Sequence, residues 1–64
     1  MNAAEARKLI GKPVTWLDTW CPKRGFLERQ GVILEVQGKN VCVDQHGMTD
    51  WKWLPDMRQL KLKA

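Results

Sequence analysis

Few residues in this chain could carry chemistry. Cys21, Cys42 and His46 are the only two thiols and the single imidazole. A structural zinc site takes four ligands, pre-organised by paired CxxC or HxxxH spacing, and neither spacing occurs. Cys21 precedes Pro22 in loop-like sequence, whereas Cys42 stands between Val41 and Val43 in strand-like sequence. Both are expected to be free thiols, Cys42 behaving as a small sheet residue. A nucleophilic site would need one of them beside His46, which precedes Gly47 in a turn. Asp44, Asp50 and Asp56 lack the spacing of a calcium loop, and Gly38-Lys39 and Gly47 are too isolated to cradle phosphate. The expectation is a chain with no catalytic site, no metal and no cofactor.

The tryptophans and cations say more. Four Trp occur, at 16, 20, 51 and 53. Side chains alternate along a strand, so Trp51 and Trp53 are expected on one face, as are Trp16 and Trp20. Each indole buries on the order of 200 Å². A core this small holds about two rings beside Val14, Val32, Leu34, Val43 and Leu60, leaving the others near the surface. The cations form three groups: Arg7, Lys8 and Lys12; Lys23, Arg24 and Arg29; and Arg58, Lys61 and Lys63. A helix packed near the last strand would merge the first and third groups. Cations bind phosphates by counterion release, and an exposed indole stacks on an unpaired base at ~1–3 kcal/mol.

Length and composition bound the frame that must hold these residues. Sixty-four residues suit one domain, 1–64. Eleven Lys and Arg against seven Asp and Glu give a net charge of +4, which mildly favours anionic partners. A 44% hydrophobic fraction with four Trp argues against disorder. Val32-Ile33-Leu34 is cut by Glu35, far short of the ~18 residues of a membrane span. Asn2 to Lys8 lacks the apolar stretch of a signal peptide, so a cytoplasmic protein with no membrane partner is expected.

Residues 2–10 read as a short helix, with Asn2 as cap, Glu5 at the capping-box position and Gly11 at its left-handed end. From Lys12 the pattern alternates. The first strand runs through Pro13 to Trp20, a loop covers Cys21 to Leu27, and the second strand covers Glu28 to Val36 with a bulge or bend at Gly31. Gln37 to Asn40 turn the chain into a third strand, Val41 to Asp44. Gln45-His46-Gly47 turn it into a fourth, Met48 to Leu54, ended by Pro55. Asp56-Met57-Arg58 reads as one turn of 3₁₀ helix, followed by a closing strand from Gln59 to Leu62. Five short strands at this length are expected to bend into a closed all-β unit.

The run Gly31-Val32-Ile33-Leu34-Glu35-Val36, then Gly38 to Asp44, Gly47, Asp50-Trp51, Leu54-Pro55 and Leu60 resembles an SH3-like barrel in the broad sense. That group includes Tudor-type and KOW-type domains and the small barrels of phage- and plasmid-type accessory proteins. The resemblance covers residues 12–62 and implies a mainly β, five-stranded SH3-like β-barrel with a short N-terminal helix and a 3₁₀ turn before the last strand. The chain has no Tyr, so it lacks the Tyr-rich face on which signalling SH3 domains hold proline-rich peptides. The expected function is a non-catalytic module binding DNA or RNA. Lys23, Arg24 and Arg29 hold phosphates, Trp20 is the stacking platform, and Arg58, Lys61 and Lys63 form a second electrostatic face. The rival expectation is a module that binds a protein partner, or a second copy of itself, through exposed Trp.

Overall fold

A computed structural model describes the backbone of residues 1–21 and 25–63, and the side chains of 1–18 and 25–63. The fold is mostly strand: α1 (Ala3–Arg7), β1 (Pro13–Cys21), β2 (Gly25–Gln37), β3 (Asn40–Gln45), β4 (Met48–Trp53), a 3₁₀ turn (Leu54–Asp56) and β5 (Arg58–Leu62). The five strands pair antiparallel in one sheet ordered β4-β3-β2-β1-β5. The chain thus meanders through four strands and returns its last to the far side of the first. Among the described residues β4 and β5 share no ladder, so hydrogen bonding does not close the sheet.

Several boundaries differ from the expectations above. The helix is Ala3–Arg7 rather than 2–10. Asn2 caps it, its Oδ1 accepting from the Glu5 N–H at 2.9 Å. Beyond Arg7 the chain tightens into i→i−3 bonds: Leu9 N–H donates to the Ala6 carbonyl and Ile10 N–H to that of Arg7. Gly11, at φ +83, then donates to the Ile33 carbonyl at 2.7 Å, which anchors the segment on β2. So short a helix holds its shape only by docking; Ala6 is fully buried, with Ala3 and Leu9 packed on the core.

The expected loop gives up Gly25, Phe26 and Leu27 to β2, where they pair with Cys21, Thr19 and Asp18. The 3₁₀ turn starts at Leu54 rather than Asp56, with Pro55 at the start of the turn where its missing N–H is harmless. The β2–β3 and β3–β4 hairpins have two-residue turns. Gly38 (φ +58) occupies the first central position between Gln37 and Asn40; His46 (φ +54) and Gly47 (φ +83) both take positive φ between Gln45 and Met48.

Gly31 is not a bulge. It pairs regularly with Val14, and a Cβ there would meet the Asp44 carbonyl oxygen at 2.7 Å, so its role is close backbone approach. The bulge in β2 lies at Leu34: Ile33 faces Val43 while Glu35 faces Cys42. That extra residue changes the core. Ile33 and Val36 are buried, whereas Leu34 is exposed and Val32 half-buried, contrary to expectation. The core comprises Ala6, Val14, Trp16, Ile33, Val36, Val41, Val43, Leu54, Met57 and Leu60.

Candidate functional site

Residues directly opposite in an antiparallel ladder share a face, so the pairings assign the paired, described side chains to the core side or the outer side. In β1, Val14 and Trp16 point to the core. Thr15, itself buried, and the half-buried Leu17 therefore lie on the opposite, outer face, and their partners follow: Gln30 and Glu28 on β2, Lys61 and Arg58 on β5.

Arg58 and Lys61 are three apart and would lie on opposite faces of a regular strand. They share a face because β5 carries one extra residue between them: Lys61 faces Thr15 and Arg58 faces Leu17. Gln59 takes φ +53, a conformation rare for a residue with a side chain. Leu60 remains buried. Lys63 continues the alternation from Lys61, its N–H donating to the Pro13 carbonyl at 2.9 Å. The result is an exposed row of three cations along an edge of the sheet.

Phe26 belongs to this face, since it stands two residues before Glu28 on β2. Its ring is half exposed, and the Arg58 guanidinium lies over it with Cζ 5.0 Å from the centroid. The sequence reading overlooked Phe26 by assigning it to a loop. Its placement two residues from Glu28 on the strand opposite β1 would have suggested the shared face.

The loop group is placed differently. Lys23 and Arg24 lie outside the described residues; Trp20 belongs to β1, but its side chain lies outside them. Arg29 faces Trp16, so it emerges on the core side, away from Arg58 and Lys61. There its Nε stands 3.6 Å from Asp18 Oδ2, both side chains about one-third exposed or less. The structure therefore does not bring Arg29 to the β5 cations, and its charge already faces a carboxylate. The first cationic group stays separate as well, because α1 packs chiefly on β2 rather than beside β5. Lys12 immediately precedes Pro13, whose carbonyl accepts from the Lys63 N–H.

The tryptophans divide as the small core requires. Trp16 is buried, while Trp51 and Trp53 are each about half exposed on one face of β4. Their partners are Cys42 and Asn40, which in turn face Glu35 and Gln37 on β2. This indole pair therefore sits among Glu35, Gln37 and Asn40 and away from the β5 cations.

Cys42 is a buried free thiol. His46 occupies its turn and borders a shallow depression with Arg29, Met48 and Asp50. Among the described residues no three of His, Cys, Asp and Glu gather as metal ligands, and no helix is long and apolar enough to cross a membrane. Comparison with protein-family models, curated proteins and solved structures finds no match to the chain.

Proposed function

We propose that this chain is a small non-catalytic binding module that holds nucleic acid, DNA or RNA, on the outer face of β5, β1 and the first half of β2. The observation that carries the reading is the extra residue in β5, which sets Arg58 and Lys61 on one face, in line with Lys63 and beside Phe26. A row of cations along a strand tracks a phosphate backbone, and an exposed ring next to it offers a base a surface to stack on. Glu28 on the same face tempers the charge and favours moderate affinity. Lys23, Arg24 and Trp20, from the connection between β1 and β2, remain expected contributors.

We take the architecture to be an SH3-like barrel. The support is the meander in which β5 returns to β1, the 3₁₀ turn that precedes it, and the short helix lying on β2.

The test is the binding of labelled single-stranded and duplex oligonucleotides across a salt series. Affinity is expected to fall steeply with salt. Replacing Arg58, Lys61 and Lys63 together by Gln is expected to reduce the slope of log affinity against log salt by about two to three. Phe26→Ala is expected to weaken single-strand binding about tenfold while leaving that slope almost unchanged. Absence of salt-dependent binding, or a slope indifferent to the triple replacement, would overturn the proposal.

A further inference from the structure

The two edges of the sheet are built differently. β5 carries its bulge and the exposed Arg58 and Lys61, devices that keep an edge from pairing with another chain. β4 also carries charge, Asp50 and Lys52, but no bulge, running in unbroken register with β3 from Met48 to Trp53. Its hydrogen-bonding phase is fixed at one end, where Leu54 N–H donates to the Lys39 carbonyl at 2.7 Å. Bonded and non-bonded pairs alternate along such a ladder. Met48, Asp50 and Lys52 therefore bond inward to β3. Thr49 and Trp51 turn their backbone N–H and C=O toward the open edge, as Trp53 does its N–H, its carbonyl capping the 3₁₀ turn.

The pattern along this edge is self-complementary. When β4 meets a second β4 antiparallel about a two-fold axis at Trp51, Trp51 faces Trp51 and Thr49 faces Trp53. Asp50 then faces the second copy's Lys52, and Lys52 faces its Asp50. Moving the axis to Asp50 sets Asp against Asp, and moving it to Lys52 sets Lys against Lys. Placing it between residues joins the Trp side of one copy to the core side of the other. One register alone combines continuous faces, two opposite-charge pairs and use of the three outward-facing backbone positions. Within one chain Lys52 Nζ and Asp50 Oδ2 already stand 3.3 Å apart, so the pairing would join two such couples into a four-charge cluster.

We infer that β4 is the contact through which two copies of this chain associate, in a C2 dimer with its axis at Trp51. It goes beyond the nucleic-acid reading and does not depend on it. One strand pair with its flanking indoles falls below the ~1,200 Å² of a standard stable interface, so the dimer is weak and its population follows concentration.

The test is sedimentation equilibrium over a wide concentration range, joined to amide exchange. The average mass of the wild type is expected to rise toward twice that of one chain. The amides of Thr49, Trp51 and Trp53 are expected to gain protection over the same range, while those of Asp50 and Lys52 are protected throughout. Asp50→Lys and Lys52→Asp each set like charges against each other twice, and each is expected to weaken self-association about tenfold or more. A mixture of the two variants is expected to form a heterodimer, because every opposed pair becomes attractive, and the double exchange is expected to recover self-association. A mass that stays monomeric overturns the inference. Dimerisation without protection at Thr49, Trp51 and Trp53, or without heterodimer formation by two folded variants, overturns it equally. Should a single variant fail to fold, the wild-type mass and amide protection decide alone.

Discussion

Trp16 is 1% exposed, at the centre of the core, yet its indole N–H meets no hydrogen-bond acceptor among the described residues. Burying the ring contributes far more than the orphan donor costs, about 1–3 kcal/mol for the latter. The two terms separate by substitution. Trp16→Ala is expected to lose ~3–5 kcal/mol, comparable to the whole stability of a domain this size. Trp16→Phe keeps most of the packing and removes the unmet N–H, so it is expected to cost less than half as much in urea unfolding. Equal losses would mean that the N–H has a partner after all. Gly31 makes a second case. The methyl of Gly31→Ala would stand 2.7 Å from the Asp44 carbonyl oxygen, a backbone atom that yields only if a strand shifts. A loss of about 1–3 kcal/mol is expected; an unchanged unfolding midpoint would show that β2 and β3 shift apart freely. At this scale the sequence showed four indoles and little room, but not which ring goes inside. That choice depends on register, which single residues do not encode.

The strands themselves were legible. Alternating β-branched and aromatic residues, cut by Gly38 and by His46-Gly47, gave five strands, and only their ends moved. The bulges were not legible. The β2 bulge sits at Leu34, a residue with no turn signal, while the conspicuous Gly31 pairs regularly. Its consequence is measurable: Ile33→Ala is expected to cost ~2–5 kcal/mol and Leu34→Ala well under half of that, the reverse of what strict alternation from Val32 would give. The bulge in β5 was hidden in the same way, because Gln59 at φ +53 belongs to no glycine motif. It nevertheless decides the candidate site, since it alone places Arg58 with Lys61. Gln59→Gly suits that conformation and is expected to leave the salt slope of oligonucleotide binding intact. Gln59→Val opposes it and is expected to lower both the slope and the unfolding midpoint. Equal slopes for the two variants would detach the bulge from binding.

At the scale of the whole molecule, the strand order puts β4 and β5 at opposite ends of the sheet. Pairing through β4 thus consumes neither the Arg58–Lys61–Lys63 row nor Phe26, and a dimer would present that face twice. Two linked faces bind a long strand more tightly than a short one, because the second contact becomes intramolecular, provided the strand spans both. The ratio of long-strand to short-strand affinity isolates this gain, since a changed net charge shifts both affinities together. The wild type, at concentrations where it dimerises, is expected to show a ratio at least about tenfold above that of Asp50→Lys alone. Mixing Asp50→Lys with Lys52→Asp is expected to restore it. Should Asp50→Lys keep the full ratio, the long strand would be gaining from repeated contacts on one copy, and the two faces would be unconnected in function. If short-strand binding vanished with the dimer instead, the ligand would lie across the β4 contact, and the Trp51–Trp53 pair rather than the β5 row would carry it.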